Sequence, residues 1–362
     1  MRPSDESGAL ARRRALLVAM YAGCVVIALG ASALLIALTG GPWQKVLAAL
    51  LDGSLRRPGR WGGTLAEMAP LLVVAVGATV ATRAGLVNIG QEGQVAVGAA
   101  CAAAITTRHS GVVALLIALA AGFVGAALWA GIAAALKYWR KVPEVITTLL
   151  LVFVASQGTG YLLTRTFLLL DPDPNKPNRV QTSAQVDTST RLPQIRMFGN
   201  EFPLSVPIAI AIAVAMAVLL SRSVWGFRVT MLGQNPRTAQ RAGVSVIRAG
   251  TAALAISGAL AGLAATMMLT GGAANYRYTP GFANNVGWEG LLVALVARNR
   301  PLVCIPVALI FAALRTGSGF LAATGVERSI VDVVRALLVL ALLVPPAVAA
   351  VQRRRAMVTA RA

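Results

Sequence analysis

The chain has 362 residues, of which 57% are hydrophobic and only 13% are charged, and its mean hydropathy is +0.72. A soluble domain carries about 25% charged residues, so this composition excludes a globular protein whose surface faces water. The net charge of +20 comes mostly from Arg residues that flank apolar runs. They are typical of topology signals and of contacts with anionic membrane lipids, and not of nucleic-acid binding.

Apolar runs long enough to cross a hydrocarbon core of ~30 Å as a helix recur along the chain. The alternating segments of about ten residues that mark a membrane barrel do not occur. The sequence therefore predicts an all-α polytopic membrane protein in which residues 1–362 form one transmembrane domain. About ten spans are predicted, near residues 15–38, 64–82, 86–105, 111–136, 145–164, 204–221, 249–270, 286–297, 301–317 and 331–351.

The first apolar run follows three arginines, as in a secretory signal peptide, but it continues through Cys24 to Leu38. A signal peptide has an apolar region of only about 7–15 residues. We therefore interpret this run as an uncleaved first span, preceded by a cytoplasmic tail at residues 1–14.

Basic residues mark one side of the predicted membrane domain, and that side is the cytoplasm by the positive-inside rule. The two termini lie on this side, with a C-terminal tail at residues 352–362. Residues 222–248, which hold several arginines and no acid, form a cytoplasmic loop. Residues 165–203 carry charges of both signs and five prolines, and they form an extracytoplasmic loop. The basic groups that support this assignment are Arg12–Arg14, Arg83, Lys137, Arg140, Lys141, residues 222–248, Arg298, Arg300 and Arg353–Arg355.

Motifs for catalysis and for cofactor binding are absent from the sequence. No G-x-x-x-x-G-K-[ST] phosphate loop occurs, so the chain does not bind ATP in the usual way. His109 is the only histidine, and the three cysteines lie far apart inside apolar runs. The sequence therefore predicts no metal site, no cofactor and no enzymatic activity of its own.

A polar, glycine-broken segment follows Arg83. Asn88, Gln91 and Glu92 would share one face of a helix at positions i, i+3 and i+4, and Gln94 follows. A carboxylate near a membrane is costly and should face the interior of the bundle or a water-filled path. The alternative is a cluster of hydrogen bonds between helices, without a transport role.

Residues 233–244 of the cytoplasmic loop predict a short helix that begins after Gly233. Asn235 is a good N-cap, Pro236 suits the first helical position, and Gly243 suits the left-handed residue past the end. The predicted helix has about two turns, or roughly 10 Å.

Arg237 and Arg241 lie four residues apart on this helix and form a cationic stripe. Such a stripe suits docking into an acidic groove of another protein. The alternative is a basic cytoplasmic loop without a partner.

The short predicted span 286–297 begins with an aromatic residue and an acid, Trp288 and Glu289. Trp288 fits an anchor at the membrane interface better than a platform for stacking a base. Both residues are nevertheless candidates for a solute path.

Four ordered stretches resemble the permease subunits of bacterial ABC importers, in the branch that takes up nucleosides and simple sugars. Residues 85–94 match G-L-x-N-I-G-x-E-G-Q, and residues 141–149 match K-x-x-E-V-I-x-T-L with Pro143 where Asn is usual. Residues 233–244 match the coupling segment in part, and residues 287–298 match G-[WF]-[DE]-G-I-A-V-A-L-L-G-R with departures at Leu291, Leu292 and Ala297.

The resemblance implies a complex in a bacterial cell membrane. Its other parts are a second permease chain (a paralogue or a copy), cytoplasmic ABC ATPases and an extracytoplasmic substrate-binding lipoprotein. ATP-driven closure of the ATPases would drive alternating access through a coupling helix. The candidate path residues are Asn88, Gln91, Glu92, Gln94, Trp288 and Glu289, and the candidate coupling residues are Gly233, Asn235, Pro236, Arg237, Arg241 and Gly243.

The resemblance implies a nucleoside as the substrate, and a simple sugar or other small polar solute is the alternative. Two other classes of protein are also considered. A self-contained secondary transporter would show repeats with paired broken helices, whereas only one clearly broken polar segment is recognised in the sequence. A structural membrane scaffold would show neither transport nor contact with an ATPase.

Overall fold

The computed structural model describes residues 60–171, 181–197 and 199–322, with shorter stretches between 19 and 59 and between 333 and 348. The predicted tails, 1–14 and 352–362, lie outside the described residues. Only isolated residues of the predicted last span, 331–351, are described. Residues 61–312 form one compact unit, and residues 1–60 with 313–362 form another.

The described residues are mainly helical. The helices are α1 (Val26–Leu38), α2 (Arg60–Arg83), α3 (Gln91–Thr106), α4 (Val112–Arg140), α5 (Glu144–Leu162), α6 (Ser205–Arg222), α7 (Val224–Gln234), α8 (Pro236–Arg241), α9 (Val246–Gly271), α10 (Val286–Val296) and α11 (Pro301–Ala322). Shorter pieces are a π-helical turn (Asp52–Arg56), a 3₁₀ turn (Thr188–Thr190) and two antiparallel strands, β1 (Gln194–Met197) and β2 (Asn200–Pro203).

Six of these helices are long and apolar enough to cross a membrane: α2, α4, α5, α6, α9 and α11. The predicted helical chain with several candidate membrane spans is therefore confirmed. Helices α1, α3 and α10 lie at three further predicted spans but are shorter in the described residues. The total of ten spans stays a prediction.

Helices α3, α4 and α9 pack closely through small residues in the unit 61–312. A Cβ atom added to Gly98 of α3 would lie 2.5 Å from the Cα atom of Gly262 in α9, and one added to Gly262 would collide with the carbonyl oxygen of Gly122 in α4. Small residues let membrane helices approach to backbone contact in this way. These three helices therefore form a tightly packed group.

Burial separates the inner helices from the outer ones. In the apolar window of α2, 83% of the residues are buried, whereas in that of α5 only 22% are buried. Helix α5 exposes large apolar side chains such as Leu150 and Phe153. This exposed surface is suited to lipid or to another membrane chain.

The polar segment after α2 is not helical, which corrects the predicted span 86–105. Helix α3 begins only at Gln91, and residues 84–90 form a connector of turns and extended backbone. The positive φ of Gly85, +74°, prevents α2 from continuing. Asn88 lies in the connector, so the predicted shared helix face for Asn88, Gln91 and Glu92 is wrong.

The predicted loop 165–203 contains the β-hairpin and packs on the segment between α9 and α10. The backbone N–H of Ser183 donates to the carbonyl of Tyr278 at 2.9 Å, and that of Val186 donates to the carbonyl of Tyr276 at 2.9 Å. Arg277 forms an ion pair with Asp171 at 2.9 Å. Two loops from distant parts of the sequence are thus held together.

We predict that Gly262→Ala lowers the free energy of unfolding by about 1–3 kcal/mol, because the added methyl group overpacks the contact with α4. Gly131→Ala is the matched control. Gly131 also lies in a helix, but a Cβ atom there would meet nothing within 4 Å. Thermal unfolding of the two purified variants in detergent measures the difference, and equal melting temperatures would contradict the prediction.

Candidate functional site

Two half-helices begin beside the middle third of α2. The side chain of Gln91, at the start of α3, donates to the carbonyl of Val74 in α2 at 3.0 Å. Gly290, in the first turn of α10, also packs on Val74. The 16 residues of α3 and 11 residues of α10 rise about 24 and 16 Å, each less than a ~30 Å hydrocarbon core.

Glu92 connects the two half-helices. It lies in the first turn of α3, and its carboxylate accepts hydrogen bonds from the backbone N–H groups of Asn285 at 2.7 Å and Gly287 at 2.8 Å. Those N–H groups lie at the start of α10, where a helix has donors without partners and a partial positive charge. Glu92 supplies both the acceptors and the compensating negative charge.

A second polar cluster stabilises the connector. The side chains of Asn88 and Gln94 exchange two hydrogen bonds, at 2.9 and 3.1 Å. Asn88 also donates to Ser257 of α9 at 2.9 Å and accepts from the backbone N–H of Gly90 at 3.1 Å. Asn88, Gln91 and Gln94 are each about 1% exposed. For these three residues, the arrangement favours a cluster of hydrogen bonds between helices over a direct role in the solute path.

The other two predicted path residues lie in the first turn of α10. Glu289 is buried and Trp288 is half-buried. Neither residue lines either of two cavities near α3 and α5, one with polar side chains and one apolar. Within the described residues, no group of His, Cys, Asp or Glu side chains could hold a metal ion.

A polar cavity of about 530 Å³ lies between α3, α5 and the segment that leads into α10. Glu92 lies in its lining, together with side chains of α5 that the sequence reasoning missed. These are Ser156, Gln157, Thr159 and Tyr161, and Thr164, just past the end of α5, also lines the cavity. Their signal was a run of polar residues inside an apolar span. A separate apolar cavity of about 350 Å³ lies between α3, α4 and α5.

The short helix of the predicted cytoplasmic loop forms as predicted. The side chain of Asn235 accepts from the backbone N–H groups of Arg237 at 3.0 Å and Thr238 at 3.2 Å, and Pro236 is the first residue of α8. Gly243 has φ +80°, a conformation that a β-branched side chain resists. Helix α8 has six residues, so it is about 9 Å long, and Arg237 and Arg241 are exposed.

The loop that carries α8 packs on the connector. Gly233 lies so close to the turn at Gly85 that a Cβ atom added to Gly85 would be 2.9 Å from the Cα atom of Gly233. Leu232 and Val244, on either side of α8, share a buried apolar cluster with Leu86 of the connector. A displacement of α8 would therefore act directly on the segment that leads to Glu92.

Broken helices that meet at a half-buried carboxylate, beside a polar cavity within a bundle of apolar helices, define a membrane transport protein. The family model described as the permease component of a branched-chain amino acid transport system matches residues 62–343. The chain belongs to this family and is a permease component of an ABC transporter.

Named relatives cover most of the chain. It is 30% identical to the guanosine ABC transporter permease protein NupP of Bacillus subtilis, over 87% of this chain and 90% of that protein. It is 27% identical to the nucleoside ABC transporter permease protein NupB of Lactococcus lactis, over 77% of each. It is also 30% identical to the glucose ABC transporter permease protein TsgB13 of Haloferax volcanii, over 77% of this chain and 74% of that protein.

We predict that Glu92→Gln impairs solute uptake and leaves the protein in the membrane. An amide has one acceptor oxygen in place of two, so one N–H of α10 loses its partner, at a cost of about 1.5–3 kcal/mol. Glu201→Gln is the control, because Glu201 forms an exposed ion pair with Arg196 at the surface. Uptake and the amount of assembled complex are measured for both variants. Normal uptake by Glu92→Gln would contradict the prediction.

Proposed function

We propose that this chain is the membrane-spanning subunit of an ATP-driven, binding-protein-dependent importer of nucleosides in a bacterial cell membrane. The names of two relatives support the nucleoside, since they specify guanosine and nucleosides. The observation that carries the mechanism is α8, a capped helix with two exposed arginines that rests on the connector to Glu92. That position suits a part that receives force from another protein.

The proposed complex contains a second permease chain (a copy or a paralogue), cytoplasmic ABC ATPases and an extracytoplasmic substrate-binding lipoprotein. ATP hydrolysis is assigned to a separate chain because the sequence has no phosphate-loop motif. The exposed apolar side chains of α5 are available to lipid or to the second permease chain. Anionic lipids are expected around the basic flanks of the spans.

In the proposed mechanism, α8 docks into an acidic groove of the ATPase. Closure of the ATPases on ATP displaces α8, and the contact between Gly233 and Gly85 passes the displacement to residues 84–90. The connector leads to Glu92, and Glu92 holds the start of α10. Rigid elements with direct backbone contact suit the transmission of such a displacement.

The proposed topology has ten spans and both termini in the cytoplasm, with residues 222–248 inside and 165–203 outside. We predict that an impermeant thiol reagent added to intact cells labels Gln185→Cys and not Thr238→Cys, in a chain without its native cysteines. Both positions are exposed, whereas Ser183 is buried and would be a poor probe. Labelling of Thr238→Cys alone would reverse the assignment.

We predict that Arg237→Glu combined with Arg241→Glu uncouples ATP hydrolysis from guanosine uptake in reconstituted vesicles. Each exposed cation contributes less than ~1 kcal/mol, so single alanine variants should be mild. The double reversal places like charges in one groove and should exceed the sum of the single reversals. Gly243→Val should also impair coupling, because valine resists the left-handed conformation.

The matched control is Arg222→Glu with Arg248→Glu, which makes the same change in charge at exposed ends of the loop. This control should keep coupled hydrolysis and uptake, and all variants should reach the membrane. Normal coupling in the variant reversed at Arg237 and Arg241 would reduce α8 to a solvated segment and would remove the main support for the mechanism.

A simple sugar is the second candidate substrate, because the glucose permease relative matches this chain at the same identity as the guanosine relative. The same vesicles, supplied with the cognate binding protein, distinguish the two substrates. Uptake of guanosine and not glucose supports the proposal, and the reverse result would replace the nucleoside by a sugar.

A further inference from the structure

Helix α5 carries a polar stripe on an otherwise apolar surface. Gln157 and Tyr161 lie at i and i+4 and are both exposed, so they share one face. Thr164, just past the end of the helix, is also exposed. Polar side chains directed at hydrocarbon are costly, and in membrane helices they usually face protein or a water-filled space. Here they line the polar cavity of about 530 Å³.

The opposite wall of the cavity includes the segment that leads into α10. Tyr278 and Phe282 pack ring against ring with centroids 5.2 Å apart, and both are nearly buried. The backbone N–H of Tyr278 donates to the hydroxyl of Ser183 at 2.9 Å, which ties this wall to the outer loop. A fixed aromatic wall therefore faces an exposed polar one.

Among the described residues, the lining carries a single charged side chain. It is Glu92, and no described Lys or Arg lines the cavity. Both carboxylate oxygens of Glu92 already accept backbone N–H groups of α10. A phosphate group needs cations or several free N–H donors, and the described residues of this lining include no cation.

The lining does have groups for a neutral, flat and hydroxyl-rich solute. The ring of Tyr161, which is 57% exposed, offers an aromatic face for stacking. The amide of Gln157 both donates and accepts hydrogen bonds, and Thr164 adds a hydroxyl group. The volume of the cavity lies within the ~300–1,000 Å³ range of small-molecule sites.

We propose that this cavity is a substrate station on the transport path, and that it holds an uncharged nucleoside with its base against Tyr161 and a hydrogen bond to Gln157. The station rejects phosphorylated nucleosides, because the described residues that line it offer no cation to the phosphate. This inference rests on the proposed function and names residues of the path that lie outside the four sequence motifs.

The test measures water access and ligand protection in the purified complex with its ATPase, using a chain without native cysteines. Gln157→Cys should react with an uncharged, water-soluble thiol reagent. Guanosine should slow that reaction several-fold, and guanosine monophosphate at the same concentration should not. Val154→Cys is the matched control, because Val154 is 56% exposed on the same helix but borders the apolar cavity. It should react slowly, with or without guanosine.

Transport provides an independent readout in vesicles with the cognate binding protein. Gln157→Leu and Tyr161→Ala should lower the guanosine transported per ATP hydrolysed by about fivefold or more, while the binding protein still stimulates hydrolysis. Tyr161→Phe keeps the ring and should retain most transport, as should the control Val154→Ala.

The station would be overturned by an unreactive Gln157→Cys or by equal protection from guanosine and its monophosphate. Normal transport per ATP in both Gln157→Leu and Tyr161→Ala would overturn it as well. Loss of the second permease chain from the purified Gln157→Leu complex would also overturn it, since the stripe would then be an interface. If the parent complex takes up glucose and no nucleoside, the proposed function itself fails, so the two failures are distinguishable.

Discussion

The need to satisfy backbone polar groups away from water governs the centre of this molecule. A helix that starts inside a bilayer leaves N–H groups without partners, each at a cost of several kcal/mol. The chain meets this need with side chains: Glu92 accepts from the start of α10, and Asn88 accepts from the N–H of Gly90 in the connector. The polar cavity and the connector both depend on these bonds, because without them α2 and α3 could not be separated by extended backbone.

One part of the molecule is rigid, and another part is able to move. Helices α3, α4 and α9 are in backbone contact through Gly98, Gly122 and Gly262, and such a group resists deformation. The connector is short and non-helical, and it contains Gly85 at a positive φ. Displacements between rigid elements are usually absorbed at a few such residues. In the proposed mechanism, motion of α8 therefore displaces residues 84–90 and the start of α10. The packed group of α3, α4 and α9 keeps its internal arrangement.

The sequence predicted what depends on neighbouring residues. The cap at Asn235, the first position of Pro236 and the turn at Gly243 were all confirmed, because each is a local property of backbone and side chain. The long spans α2, α4 and α9 followed from hydropathy alone. The start of α3 could not be predicted, because hydropathy does not distinguish a buried extended segment from a buried helix. The second broken helix, α10, was recognised only as short, since its partner Glu92 is almost 200 residues away. The polar stripe of α5 was missed because Leu, Val and Phe dominate the average hydropathy of that helix.

The contact between Gly233 and Gly85 has a consequence for how such permeases diversify. It joins two backbones without any side chain, so it does not depend on which solute is carried or on which ATPase is bound. Residues that would bind the solute lie on α5, and residues that would bind the ATPase lie on α8. Substitutions in one set leave the other intact, and the link between them is unaffected. A permease of this kind could thus acquire a different solute preference while keeping its contact with the ATPase. It could equally adapt to a different ATPase while keeping its solute preference.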